Sequence, residues 1–153
     1  MKKHLISLSI AASTLAASTL FFASAALSQT ITSENDQLYK AFGEKAGLIA
    51  LMDDFMVRLL ADARTGPHFK PANQQRVKAQ LVDQLCSLSG GPCVYKGADM
   101  KSSHSNLDIT KSDFHALVEV LQSAMDAKGI APRKQNEMLA LLAPMHRDII
   151  TPK

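Results

Sequence analysis

Hydrophobic residues recur at three- and four-residue spacing in four segments of the chain, and charged residues fall between them. The segments cover about residues 44–63, 73–89 and 110–129, and a last one that begins near Pro132. This spacing predicts four amphipathic helices. The positions expected to face inward are Leu48, Leu51, Met52, Phe55, Met56, Leu59 and Leu60, then Val77, Leu81, Leu85 and Leu88, then Phe114, Leu117, Val118, Leu121 and Met125, and finally Met138, Leu141, Leu142 and Met145.

Turn-forming and capping residues mark the helix ends. Gly66-Pro67 predicts a break after the first helix, and Gly90-Gly91-Pro92 stops the second. Thr110 and Asp113 resemble a capping box at the start of the third. Residues 90–109 show no clear period, which predicts an irregular connection. Because no stretch alternates convincingly between apolar and polar residues, the fold is predicted to be all-α.

The N-terminus has the order of a secretory signal. Lys2 and Lys3 precede a stretch from 5 to 27 without charge, and small residues close it at 23–25 or 26–28. Basic, apolar and then small residues are typical of export signals. A retained membrane anchor is the alternative, because the apolar run approaches the roughly 20 residues that span a bilayer. Serine and threonine interrupt the run, which favours a cleaved signal.

This interpretation divides the chain into a signal peptide (1–28), a flexible segment (29–37) and one domain (38–150). It predicts an exported, periplasmic protein without stable membrane insertion after the signal is removed. The whole chain carries a formal charge of +3, part of which comes from the two signal lysines. The mature protein is therefore close to neutral, which argues against a nucleic-acid partner.

Cys86 and Cys93 are the two cysteines of the chain. In an oxidising compartment such a pair is more often bridged than free. Ser89-Gly90-Gly91-Pro92 can reverse the chain between them, so a disulfide is expected, with two free thiols as the alternative. Two thiols without a matching histidine pair are poor evidence for zinc.

The polar residues show no hydrolase or nucleotide-binding motif. The histidines are the remaining candidates for chemistry. His115 and His146 lie beside apolar stripes on predicted helices, and His68 lies in the turn after the first helix. His104 lies in the irregular connection, and by itself it is expected to be a solvated loop residue.

The motifs around His104 change that expectation. From residue 38 to residue 149 the chain resembles the group I truncated haemoglobins, short globins with a two-over-two helical sandwich. The matching motifs, in order, are Leu38-Tyr39-x-x-x-Gly43, Asp53-Asp54-Phe55-x-x-Arg58-x-Leu60-Ala61-Asp62, Phe69, Gly90-Gly91-Pro92-x-x-Tyr95-x-Gly97-x-x-Met100, His104-x-x-Leu107-x-Ile109-Thr110-x-x-x-Phe114 and Ala143-Pro144-Met145-x-Arg147-Asp148-Ile149. The cysteine pair beside Gly90-Gly91-Pro92 is similar to an exported subset of this family.

The resemblance implies a non-covalent b-type haem with His104 as the proximal iron ligand through Nε2. An imidazole is a recognised axial ligand of haem iron. The residues expected to contact the cofactor are Phe69, Val77, Lys78, Leu81, Tyr95, Met100, His104, Phe114 and Val118, with Lys78 and Tyr95 near the propionates. Those expected to line the distal pocket are Phe55, Met56 and Leu85.

The distal side departs from the family pattern. Met56 stands where the best-known members carry tyrosine, and Val77 and Leu81 stand where a hydrogen-bond donor is frequent. Gln80 is the one polar side chain expected nearby. A donor to bound dioxygen contributes roughly 1–3 kcal/mol. We therefore expect weaker dioxygen binding and relatively better binding of CO or NO.

The resemblance implies reversible binding of O₂, NO and CO, and any turnover, such as NO oxidation, would need an external reductase. One alternative is an exported electron-transfer haem protein with His104 and Met56 as axial ligands, although Met56 is more simply a core methionine. The other is a helical interaction module that has lost haem.

Overall fold

The computed structural model describes residues 36–151, and every regular element in that range is helical. The predicted signal peptide and the segment from 29 to 35 lie outside the described residues. The elements are α1 (Gln37–Ala41), α2 (Glu44–Ala61), α3 (Gly66–Phe69), α4 (Gln74–Leu88), α5 (Met100–His104), α6 (Lys111–Ala127), α7 (Pro132–Leu142), a 3-10 turn (Ala143–Met145) and α8 (His146–Ile149). The all-α prediction is confirmed.

The four long helices α2, α4, α6 and α7 match the four periodic segments. Asn73 caps α4, because its side-chain oxygen accepts a hydrogen bond from the Arg76 backbone N–H at 3.0 Å. The predicted capping box is present at α6. The Asp113 backbone N–H donates to Thr110 Oγ1 at 3.2 Å, and the Thr110 N–H donates to Asp113 Oδ2 at 2.9 Å. Both caps satisfy backbone donors that the first helical turn leaves free.

Short helices also occupy places where the sequence pattern predicts none. Gly66-Pro67 does not simply break the chain, because proline is tolerated in the first turn of α3. The connection from 90 to 109 contains α5, whose first turn is capped by Asp99 Oδ1 accepting from the Ser102 N–H at 2.8 Å. Five residues are too few to show a hydrophobic period. Gln37, expected in the flexible segment, begins α1.

The core lies where α2 packs against α4 and α6. α7 packs against both α4 and α6, so the long helices form the two facing pairs expected from the resemblance. The fully or nearly fully buried side chains here are Leu48, Leu51, Met52, Phe55 and Leu59 from α2, Val82, Leu85 and Cys86 from α4, Val120, Leu121, Ala124 and Met125 from α6, and Met138 from α7.

Cys86 and Cys93 form the expected disulfide, with 1.99 Å between the sulfurs. It joins the buried end of α4 to the loop that leads to α5. A Cβ on Gly91 would approach both Cys86 Sγ and the Tyr39 ring within 2.7 Å, so the turn needs glycine there. Between residues 36 and 151, we find no helix with the length and apolar character required to cross a bilayer.

Candidate functional site

A cavity of about 1110 Å³ lies between α2, α4 and α6, and α5 with the C-terminal helices contributes to the rest of its wall. Its size is at the upper end for small-molecule and cofactor sites, and most of its wall is apolar, as in such sites. Ten of the predicted site residues line it: Phe69, Val77, Leu81, Tyr95, Met100, His104, Phe114 and Val118, and Phe55 and Leu85 from the expected distal pocket.

Two predicted site residues do not line this cavity. Lys78 Nζ lies 2.6 Å from Asp53 Oδ1 and borders a separate, smaller cavity between α2 and α4. Met56 is only 4% exposed, but its side chain is buried outside the cavity wall. Met52, one turn earlier on α2, lines the wall instead.

His104 is held by its own helix. Its Nδ1 lies 2.8 Å from the Met100 carbonyl oxygen and 3.0 Å from Ser103 Oγ. A carbonyl oxygen can only accept, so the ring donates through Nδ1–H and the Nε2 lone pair is left for a ligand bond. The second hydrogen bond of a ligating imidazole sets its tautomer and orientation in this way. The sequence predicts that such a partner exists but does not identify it.

Charged and polar groups line one part of the cavity. His68 Nε2 lies 3.8 Å from Asp113 Oδ1, and both residues contribute to the wall. The Thr110 hydroxyl and backbone N–H donate to Asp113, and together with His68 they lower the pKa of this carboxyl. Arg76 also lines the wall, and among the described residues its guanidinium has no ion-pair partner. It is therefore the basic group best placed to meet a carboxylate in the cavity.

Tyr95 lies on the loop before α5. Its hydroxyl donates to the Ala98 carbonyl at 2.8 Å while its ring lines the cavity. This hydrogen bond closes a short turn, so the aromatic ring is fixed against the wall. The disulfide at Cys93 anchors the same loop two residues earlier.

Sequence reasoning missed several wall residues. Gln84 on α4 is 7% exposed and lines the cavity, and Arg76 lies two turns before it. Four-residue spacing places Arg76, Gln80 and Gln84 along one line of the helix, next to Val77, Leu81 and Leu85. That spacing could have found Gln84. Met145 and Ile149 also line the cavity, but they belong to short C-terminal elements without a readable period.

The residues present fit the haem that the resemblance implies. A large apolar slot suits a flat macrocycle, and one imidazole with an available Nε2 suits axial ligation. The fit depends on α5, because this helix brings His104 to the wall.

Comparison with known proteins gives a consistent result. A family model described as bacterial-like globin matches residues 37–151. The chain is 31% identical over 118 residues to a group 1 truncated haemoglobin of Mycolicibacterium paratuberculosis, and the match covers 77% of this chain and 87% of that protein.

Two solved structures are similar in fold. The Fe(III) form of the truncated haemoglobin from Tetrahymena pyriformis has a TM-score of 0.71 at 26% identity, covering 74% of this chain and 97% of that one. The 2/2 haemoglobin of a Synechococcus species, solved with covalently attached haem, has a TM-score of 0.69 at 21% identity, with the same coverage of both chains. At this identity the second likeness concerns the fold alone.

Proposed function

This chain belongs to the bacterial-like globin family, and on that premise we propose that it binds one haem and holds diatomic gases reversibly at the iron. The observation that carries the proposal is His104 in the wall of a large apolar cavity, with its Nδ1 engaged by the Met100 carbonyl. The haem iron supplies the coordination site for the gas. Within this chain, His104 would supply the imidazole ligand and the apolar wall would surround the macrocycle.

The distal wall decides which gases are favoured. Val77 and Leu81 line the cavity from α4, and neither can donate a hydrogen bond. Gln80 and Gln84 lie on the adjacent line of the same helix. Because dioxygen gains more from a donor than CO does, Val77 and Leu81 favour CO and NO over dioxygen, whereas the amides of Gln80 and Gln84 are donors that act in the opposite direction.

Arg76 is the group that we assign to the haem carboxylates. Lys78 is engaged by Asp53 at 2.6 Å outside the cavity, so it would have to leave that partner to reach a propionate. Arg76 lines the cavity and can pair with a carboxylate in a bidentate manner. Tyr95 lines the same cavity but uses its hydroxyl for Ala98.

Gas binding is favoured over electron transfer through a His104–Met56 axial pair. A second axial ligand must reach the cavity, and Met56 is buried outside its wall. Any catalytic turnover, such as NO oxidation, needs electrons, and we assign their supply to an external reductase.

We also propose that the protein is exported to the periplasm after cleavage within residues 23–28. The Cys86–Cys93 disulfide supports this proposal, since such bonds persist in oxidising compartments. Intact-mass analysis of protein recovered from the producing cell would test both points. A mature protein beginning near Gln29 and without free thiols is the expected result, and a full-length chain with two thiols would contradict it.

Absorption spectroscopy of the purified mature protein tests the central proposal. We expect a Soret band, a five-coordinate ferrous spectrum and a shift on addition of CO. His104→Ala should lose this ferrous spectrum, whereas His146→Ala, at an exposed histidine outside the cavity wall, should keep it. The absence of a Soret band after haem addition would overturn haem binding, and a six-coordinate ferrous spectrum would overturn the open gas site.

A further inference from the structure

The helix that carries His104 cannot define its own position. α5 has five residues, and none of them is buried. A helix this short is not stable by itself in water, because the entropy lost in fixing the first turn exceeds the stabilisation from its few hydrogen bonds. The position of the imidazole must therefore come from contacts that α5 makes with the rest of the molecule.

Gln84 makes such a contact from α4. It lies near the end of α4 and is 7% exposed. Its Nε2 donates toward Met145 Sδ at 3.4 Å and toward Met100 Sδ at 3.8 Å. Gln84 therefore joins three separate elements at one point: α4, α5 and the 3-10 turn after α7.

The chemistry of this contact is unusual for a buried amide. Burying an amide is costly unless it is hydrogen-bonded, and thioether sulfur is a weak acceptor. The neighbouring cavity positions on α4, Leu81 and Leu85, are apolar. By contrast Gln135, which is 5% exposed, donates to two oxygens, Asp126 Oδ1 at 2.7 Å and the Ile130 carbonyl at 2.8 Å. Packing alone does not account for an amide at position 84.

Met100 connects Gln84 to the imidazole. Its side chain meets Gln84 Nε2, and its backbone carbonyl accepts the hydrogen bond from His104 Nδ1 at 2.8 Å. A shift of Met100 therefore moves the acceptor that orients the His104 ring.

We propose that Gln84 is a positioning residue for the proximal ligand, acting through Met100 to set the depth and tilt of the His104 imidazole. This inference rests on the proposed function, since it concerns the bond from His104 to haem iron. It assigns the tuning of that bond to the distal helix α4, in addition to the short helix that carries the histidine.

The test uses the ferrous, gas-free holoprotein and two readouts. The iron–histidine stretching band in resonance Raman spectra reports the strength of the bond from His104 to iron. The rate of haem transfer to an excess of acceptor apoglobin reports how firmly the protein retains haem. Gln84→Leu should shift or broaden the band and accelerate haem transfer about two- to threefold. This fold-change corresponds to the low end of the free energy that one neutral hydrogen bond contributes. Met100→Leu, a volume-conserving change, should do the same, and the double variant should add nothing further.

Gln135→Leu is the matched control, because it removes an equally buried glutamine outside the cavity wall. It should lower the unfolding temperature and leave the stretching band unchanged. An unchanged band in Gln84→Leu, or the same shift in Gln135→Leu, would overturn the positioning role. If Gln84→Leu does not fold, Met100→Leu decides by the same criterion. A wild-type protein without a Soret band would refute the proposed function itself, and this inference with it.

Discussion

Leu81 is the residue at which the proposed gas preference can be tested most directly. It lines the wall from α4 and cannot donate a hydrogen bond. Dioxygen would gain partial negative charge from the electrons of the ferrous haem iron, and a hydrogen bond to a charged group is worth about 1.5–3 kcal/mol. Leu81→Gln should therefore slow dioxygen dissociation by about tenfold or more, with CO dissociation changing much less. Stopped-flow ligand replacement measures both rates.

Leu81→Met is the control for this substitution, because it changes the shape of the side chain without supplying an N–H donor. Equal effects of the two variants on dioxygen would show that wall shape, and not hydrogen bonding, governs release.

Arg76 and Lys78 make a second pair of residues whose roles differ by position. Arg76 faces the cavity, and Lys78 is held by Asp53 at 2.6 Å outside it. Arg76→Leu should accelerate haem loss by about fivefold. This fold-change corresponds to roughly 1 kcal/mol, which is the most that an exposed ion pair usually contributes. Lys78→Leu should leave haem loss near the wild-type rate. The rate of haem transfer to acceptor apoglobin measures haem loss. Faster haem loss in Lys78→Leu than in Arg76→Leu would instead identify Lys78 as the propionate partner.

At the scale of single residues, sequence reasoning placed ten of twelve expected side chains on the cavity wall. The four-residue spacing on α4 predicts which of its side chains share the face next to the cavity. Lys78 and Met56 lie outside the cavity wall, since each successive residue of a helix is rotated by about 100° and neighbouring positions therefore face different surroundings. Gln84 was missed because a polar residue in an apolar stripe is first assigned to solvent.

The start of α6 illustrates what a single element contributes. The Thr110 hydroxyl donates to Asp113 Oδ2 at 2.6 Å, and the pKa of Asp113 is lowered chiefly by this bond. A carboxyl with a lowered folded-state pKa stabilises the fold above its unfolded pKa, and that contribution is lost as pH falls through the folded value. In Asp113→Asn the free energy of unfolding should therefore decrease less steeply below about pH 5 than it does in the wild-type protein.

Thr110→Ala should lower stability by about 1 kcal/mol at neutral pH through loss of the cap. Urea unfolding across the acidic range measures both variants. Ser112→Ala, on the exposed face of the same turn, should change neither property. An Asp113→Asn protein with the wild-type acid profile would show that the carboxyl is not held in solution as it is in the structure.

The helices differ in how well the amino-acid sequence predicts them. α2, α4, α6 and α7 span enough turns for a hydrophobic period to appear, and caps at Asn73 and Thr110 define two of their starts. α3, α5 and α8 have four or five residues each, so no period can be read. Their helical form depends on packing and on local caps such as Asp99. Because α5 and α8 both contribute to the cavity wall and α5 carries His104, the part of the fold hardest to predict includes the expected iron ligand.

At the largest scale, the described domain, residues 36–151, is organised around one large apolar cavity. A cavity of about 1110 Å³ presents a mostly apolar wall, and a ligand that covers apolar surface stabilises the protein that binds it. The occupant should therefore contribute a large share of the stability of the folded state. A ligand whose free concentration is a thousand times its Kd adds about 4 kcal/mol to the free energy of unfolding. This raises the Tm of a domain of this size by about 10 °C or more.

Calorimetry of the apoprotein, the holoprotein and a complex with iron-free protoporphyrin separates two sources of this stabilisation. Iron-free porphyrin fills the cavity but forms no bond with His104, so it should raise the Tm by less than haem does. His104→Ala should respond to iron-free porphyrin as the wild type does, and should lose only the additional increment that haem provides. If haem and iron-free porphyrin stabilise the wild-type protein equally, the bond from His104 contributes nothing to the fold, and cavity filling alone accounts for the holoprotein.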